Sequence, residues 1–95
     1  MNFSFDLSEK IVDYSKHWEF SVGSCHAALA LREDYRRQLK EAHSRLGFRY
    51  LRFHGLFHDD MSVLSRSLFS SEYLLSFANI DNIYDFLLSI GMKPF

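Results

Sequence analysis

Several features that would reveal a function directly are missing from this 95-residue sequence. Its single cysteine, Cys25, excludes an internal disulfide and fits a reducing, cytoplasmic compartment. The four glycines are scattered at positions 23, 47, 55 and 91, so there is no glycine-rich phosphate loop. No stretch approaches the roughly 18 unbroken apolar residues of a membrane span, and we expect no signal peptide, because the first residues lack its basic and apolar regions.

Charge of one sign is also lacking. The net charge is -1 and the basic residues are spread along the chain, so the sequence predicts neither a nucleic acid nor an anionic membrane as partner. What the chain does have is apolar and aromatic residues, at 47% and 17% of the total. That composition is typical of a folded core, and the length allows one domain at most.

Two helices are predicted from apolar residues that recur at helical spacing. The first runs over 33–46, with Gly47 as its left-handed end residue. The second runs over 80–90, with Asn79 as candidate cap and Gly91 as its end. The apolar stripes of the two helices consist of Leu31, Tyr35, Leu39, Ala42 and Leu46, and of Ile80, Ile83, Tyr84, Leu87 and Ile90.

Strands are predicted between and around these helices. The alternation of Phe3, Phe5 and Leu7 suits a short strand outside the main body, and a further strand over 18–22 is ended by Gly23 and Ser24. Other strands are predicted over 48–54 and from 92 onward, and the long connection over 55–78 is typical of a functional loop or of minor structure. The order of elements indicates a parallel α/β fold that looks interrupted, because two strands and part of a third do not complete a sheet.

The most informative stretch is residues 50–55. On a strand, Tyr50, Arg52 and His54 share one face, while the two residues between them share the other. Arginine and histidine together on a buried face predict a polar pocket or a carboxylate partner supplied elsewhere, because an unpaired buried charge is costly. An edge strand with one wet face is the alternative.

Two other combinations are weaker. His54 and His58 stand four apart with Asp59 and Asp60 adjacent, but a metal pair at that spacing needs a helix, and a glycine after a strand leaves the geometry undefined. Cys25 is followed by His26, yet sequence neighbours are no better placed than others for thiol catalysis, and a structural thiol is favoured. The sequence predicts no metal, no cofactor and, taken alone, no catalytic group of residues.

Several spaced motifs resemble glycoside hydrolase family 39, the β-xylosidases. They are residues 18–24 (WEFSVGS), 30–36 (ALREDYR), 52–55 (RFHG), 59–61 (DDM), 79–81 (NID) and 84–95 (YDFLLSIGMKPF). The resemblance implies a (β/α)8 TIM barrel that hydrolyses β-linked xylose with retention of configuration. On that template residues 18–23 are similar to the first barrel strand, 48–54 to the second and 92–95 to the start of the third.

The resemblance also implies roles for two side chains. Active sites of such barrels lie at the carboxyl ends of the strands, so His54 and the 55–78 connection would lie at the sugar-binding mouth. His54 is similar to the family's histidine that contacts the sugar beside the cleaved bond. Arg52 would orient a catalytic carboxylate by a charge-assisted hydrogen bond. The implied partner is a xylose-containing oligosaccharide.

The sequence departs from the family in what it lacks. The family's acid/base and nucleophilic glutamates lie on the fourth and seventh strands, and no glutamate of this chain matches either motif. Retaining hydrolysis needs two carboxyl groups about 5 Å apart, and a barrel typically has about 250 residues. We therefore expect an N-terminal extension over 1–17, a partial glycosidase domain over 18–95, and no activity of this chain alone.

Two other functions stay open. The chain could be a sugar-binding module without catalysis, as in the sugar-responsive part of some AraC-type regulators, although it contains no helix-turn-helix. It could also be a stand-alone remnant of the scaffold, which would have to hide its free strand edges by self-association.

Overall fold

The computed structural model describes residues 1–9 and 13–95. The strands and α-helices are β1 (Ser21–His26), α1 (Glu33–Leu46), β2 (Tyr50–His54), β3 (Leu64–Arg66), β4 (Tyr73–Leu75), α2 (Ala78–Ser89) and β5 (Lys93–Pro94). Three short 3-10 turns lie at His17–Glu19, before β1, at Ala27–Leu31, between β1 and α1, and at Asp59–Met61, between β2 and β3. No helix in the described ranges is long and apolar enough to cross a membrane.

A three-stranded parallel sheet is the centre of the fold. Its strand order is β1-β2-β5, and β2 pairs in parallel with both neighbours. Parallel neighbours need crossover connections, and here α1 leads from β1 to β2 while α2 precedes β5. The predicted mixed α/β fold with a parallel sheet is confirmed.

Helix α1 has the predicted bounds because its ends are well marked. Glu33 and Asp34 occupy the first turn, where acidic side chains favour the helix dipole. Gly47 has φ +75° and donates its backbone N–H to the carbonyl of His43 at 2.9 Å, as a left-handed end residue does. The apolar stripe is shorter than predicted, because Leu46 is 50% exposed. Among the stripe residues that lie within the helix, Leu39 is the buried one.

Helix α2 begins at Ala78, earlier than predicted, and Asn79 is not its cap. The residue before the helix, Phe77, makes no side-chain cap, and the Asn79 amide instead donates to the carbonyl of Met61 at 3.1 Å. Asn79 therefore lies inside the first turn and ties the helix to the preceding 3-10 turn. The predicted apolar face is confirmed by the burial of Ile80, Ile83 and Leu87.

The core lies on one side of the sheet only. Leu51 of β2 is 1% exposed, and Ile83, Leu87 and Met92 are completely buried with it. The buried cluster as a whole is Ala27, Ala30, Leu39, Leu51, Met61, Val63, Ile80, Ile83, Leu87 and Met92. The opposite face of the sheet carries side chains that no described element covers.

An aromatic cluster lies at the amino-terminal half of this open face. The ring centroids of Phe20 and Tyr50 lie 5.1 Å apart, and the Phe95 ring lies 6.0 Å from that of Phe20. Phe20 and Phe95 remain 46% and 66% exposed. Apolar side chains on an exposed sheet face indicate a surface that is covered in a larger assembly or domain.

Two strand predictions are wrong. Residues 1–9 contain no strand, and Phe3, Phe5 and Leu7 are almost fully exposed, because alternation alone forms no strand without a partner to pair with. Trp18 lies in a 3-10 turn, and β1 starts at Ser21 and continues through Gly23, which pairs with Arg52 across the sheet. Pairing with β2 outweighs the weak strand preference of glycine.

The connection over 55–78 contains the minor structure that its length predicts. After the 3-10 turn, β3 and β4 form an antiparallel hairpin in which Leu64 pairs with Leu75 and Arg66 with Tyr73. The side chains of both strands are exposed. The Asp59–Met61 turn lies between the carboxyl end of β2 and the hairpin.

Candidate functional site

The open face of β2 carries the two polar side chains singled out in the sequence. Arg52 and His54 are exposed, whereas Leu51 is buried and Phe53 half-buried against the helices. This alternation agrees with the predicted shared face of Arg52 and His54. The edge-strand alternative is wrong about position, because β2 is the central strand, although one of its faces is open to solvent.

Arg52 has no ion-pair or hydrogen-bond partner among residues 1–9 and 13–95. A guanidinium on a sheet face calls for a carboxylate, with which it can make two parallel hydrogen bonds. The described part of the chain does not supply that carboxylate, and the side chain projects into the space that the open face leaves free.

Three histidines meet at the carboxyl ends of β1 and β2. The ring centroids of His26 and His54 lie 4.5 Å apart with their planes inclined at 58°, and His26 and His58 lie 5.6 Å apart in an edge-to-face arrangement. His26 ends β1, His54 ends β2, and His58 follows in the next loop. His26 therefore contacts both of the other rings.

An irregularity in the sheet brings His26 opposite His54. Gly23 pairs with Arg52, but the next paired residue of β1 is His26, which lies opposite His54. Three steps along β1 thus match two along β2, whereas regular pairing would set Cys25 opposite His54. Such bulges re-aim side chains and are frequent beside active sites.

Gly55 makes room for the His26 ring. Its φ of +76° is one that side-chain-bearing residues rarely adopt, and a Cβ there would lie 2.7 Å from Nδ1 of His26. That separation is much shorter than a van der Waals contact. The glycine that closes the 50–55 stretch thus lets the imidazole pack directly against the backbone.

His58 is held by its own loop. Its Nδ1 lies 3.2 Å from Oδ1 of Asp60 and 3.4 Å from the Asp60 backbone nitrogen. A protonated Nδ1 can donate to the carboxylate, and an unprotonated Nδ1 can accept from the amide. The loop therefore fixes the ring whichever nitrogen carries the proton.

The structure also locates the two weaker combinations of residues. In the part of the chain that the structure describes, no group of three or more histidine, cysteine, aspartate or glutamate side chains could hold a metal ion. The Cys25 side chain is exposed, so the prediction of a thiol packed as a structural residue is wrong. The sequence pattern predicts the end of the first strand at residue 22, so His26 stands out only as a neighbour of this cysteine. Extending the strand to residue 26 would have placed both histidines at the same edge.

The chain matches the model of glycosyl hydrolases family 39 over residues 3–95. It is 52% identical over 97 residues to a β-xylosidase of Caldicellulosiruptor saccharolyticus, covering 100% of this chain and 19% of that protein. It is 36% identical over 84 residues to a β-xylosidase of Geobacillus stearothermophilus, covering 86% of this chain and 17% of that one.

Solved structures give the same result. A family 39 β-xylosidase from Caulobacter crescentus superimposes with a TM-score of 0.75 at 39% identity, over 81% of this chain and 17% of that one. The family 39 enzyme of Xanthomonas axonopodis pv. citri gives 0.71 at 33% identity, over 80% of this chain and 15% of that one. The chain thus spans between 15% and 19% of the length of these relatives and corresponds to their N-terminal region. It belongs to glycosyl hydrolases family 39.

Proposed function

We propose that this chain forms the first part of a (β/α)8 barrel of a retaining β-xylosidase, with a xylose-containing oligosaccharide as its partner. The arrangement of the sheet supports the proposal most directly. Three parallel strands carry both helices on one face, while Arg52 and His54 project from the other near the carboxyl ends of the strands. In a barrel that open face is the interior, and the carboxyl ends form the active-site mouth.

In this proposal His54 hydrogen-bonds a sugar hydroxyl beside the cleaved bond, and Arg52 orients a catalytic carboxylate from a later strand. Residues 18–95 form the partial glycosidase domain and 1–17 an extension that precedes it. Arg52 has no partner among the described residues, and this, with the polar character of the mouth, supports both roles. The same open face and the outer strands β1 and β5 also support self-association of the chain when no further strands cover them.

The proposal implies that the 95-residue chain alone is inactive, because neither catalytic glutamate matches a residue of this sequence. Retaining hydrolysis needs an acid/base and a nucleophile that face each other about 5 Å apart. The purified chain should give no turnover of 4-nitrophenyl β-xyloside above the level of a mock preparation. Turnover that follows the chain through purification would contradict the proposal.

A chimaera provides the positive test. The chain replaces the segment aligned with it in the β-xylosidase of Caldicellulosiruptor saccharolyticus, to which it is 52% identical. We expect the chimaera to hydrolyse 4-nitrophenyl β-xyloside, and His54→Ala to lower kcat/KM by about a hundredfold, mainly through KM, because the enzyme loses a hydrogen bond that it makes to the sugar both before and during the reaction. Arg52→Met should lower kcat by at least about tenfold, because the carboxylate loses its orientation.

His17→Ala is the matched control. This histidine is exposed and lies before β1, at the opposite end of the strand from His54. Its replacement should leave kcat/KM unchanged within about twofold. An inactive chimaera that folds, or a His54→Ala variant as active as the control, would contradict the proposed function.

A further inference from the structure

The contact between the rings of His26 and His54 has no role in the proposed chemistry so far. His26 is not the sugar-contacting histidine, and it lies on a different strand. Yet the sheet departs from regular pairing to place it opposite His54, and Gly55 leaves space for its ring. The irregular pairing and the glycine both accommodate the His26 side chain. This indicates that the position of His26 matters for His54.

We infer that His26 is a positioning residue that holds the His54 ring in the orientation needed to contact the sugar. The inference rests on the proposed sugar contact of His54. His26 packs on one side of the His54 ring, with centroids 4.5 Å apart and planes at 58°. An exposed imidazole at a strand end can otherwise rotate about χ1 and χ2, and a tilted aromatic neighbour removes part of that freedom.

His26 is itself held from two further directions. Its ring lies against the backbone of Gly55, where a Cβ would come within 2.7 Å of Nδ1. On another side it packs edge-to-face with His58, whose Nδ1 lies 3.2 Å from the Asp60 carboxylate. The row Asp60, His58, His26, His54 thus runs from the loop after β2 to the proposed sugar contact.

The bulge in β1 decides which side chain takes this place. In regular pairing Cys25 would face His54, and its small thiol could not support a ring 4.5 Å away as an imidazole does. The extra residue in β1 moves Cys25 aside and brings in a planar side chain. The bulge therefore determines that His26 is the side chain that packs against the His54 ring of β2.

The test uses the chimaera described above, with 4-nitrophenyl β-xyloside as substrate. His26→Ala should raise KM by about tenfold and change kcat by less than about twofold, because a poorly oriented His54 weakens sugar binding in the ground state and the transition state alike. His26→Phe keeps a planar ring of similar size and should bring KM back to within about threefold. A purely structural role would lower kcat and the melting temperature together and would give no such rescue.

The double variant tells positioning from a direct contact. In the His54→Ala background, His26→Ala should have no further effect on kcat/KM, since there is no ring left to position. Equal losses in both backgrounds would overturn the inference and leave the proposed function intact. An unchanged kcat/KM in His54→Ala alone would overturn the proposed function, and this inference with it.

Gly55 gives an independent test with a matched control. Gly55→Ala pushes His26 from its place and should raise KM as His26→Ala does. Gly91→Ala introduces the same kind of strain, at φ +86°, but its Cβ would lie 3.5 Å from the nearest atom, Nε2 of His43, which is not one of the three histidines that meet at the strand ends. If both glycine variants change KM equally, the effect comes from backbone strain and the positioning role is refuted.

Discussion

Arg36 joins the two helices to each other and to the segment before α1, and its removal should destabilise the fold. Its Nε donates to the carbonyl of Ala30 at 2.6 Å, and its Nη2 donates to Oδ1 of Asn82 at 2.5 Å. The guanidinium carbon also lies 4.8 Å from the centre of the Phe86 ring. One half-buried side chain of α1 thus contacts α2 twice and the Ala27–Leu31 turn once.

The magnitude follows from these contacts. A typical hydrogen bond contributes about 0.5–1.5 kcal/mol net, and we take about 0.5–1 kcal/mol for each of the two because Arg36 is only half-buried and Asn82 is exposed. The cation–π contact adds about 0.5–1 kcal/mol. With contributions that are not fully additive, Arg36→Ala should lower the free energy of unfolding by about 2 kcal/mol.

Urea unfolding of the 95-residue chain, followed by far-ultraviolet circular dichroism, measures this loss. With a slope of about 1–2 kcal/mol per molar urea for a chain of this size, the midpoint should fall by about 1–2 M. Arg37→Ala is the control, because Arg37 is the exposed next residue of the same helix and should change stability by less than about 0.5 kcal/mol. Equal effects of the two substitutions would refute the reasoning.

A double variant of Arg36 and Asn82 measures the contribution of the hydrogen bond that joins α1 to α2. If the hydrogen bond between the helices contributes as argued, Asn82→Ala should cost about 0.5–1 kcal/mol in the parent chain and close to nothing when Arg36 is already alanine. Additive losses would mean that the two side chains act independently.

Three further results are expected. Leu87→Ala should cost about 2–5 kcal/mol because it opens a cavity in the core, whereas Leu88→Ala, at 58% exposure on the other side of α2, should cost under about 1 kcal/mol in the same urea assay. Gly47→Ala should cost about 1–2 kcal/mol, since φ is +75° and the new Cβ would lie 3.0 Å from a carboxylate; equal stability would contradict the left-handed geometry. The hydrogen bonds from Arg32 and from the following backbone amide hold the pKa of the Asp34 carboxyl below its usual range. The stability that Asp34 contributes is therefore present above the unfolded pKa and lost as pH falls through the folded pKa. Arg32→Ala should raise the pKa of Asp34 measured by carbon NMR titration. An unchanged pKa would contradict the conclusion that the Arg32 hydrogen bonds lower it.

Local signals in the sequence determined the helices. The apolar spacing and the terminal glycine gave the bounds of α1, because both are properties of residues within one or two turns of each other. The alternation in β2 likewise predicted the faces of Leu51 and Arg52. Asn79 shows the limit of such signals: a good capping residue was diverted to the carbonyl of Met61, a partner 18 positions away.

The meeting of the histidines was decided by the tertiary structure alone. The sequence placed His54 at a strand end and made family 39 recognisable through short motifs, and His58 was visible four residues later. The contact of His26 with His54 could not be predicted, because it depends on a bulge in β1 that exists only when β1 pairs with β2. Periodicity in the sequence shows which residues share a face of one segment, whereas the register between two segments is set by the packing of both. The sequence therefore determined the helices and strands, and the tertiary structure decided which of their side chains meet.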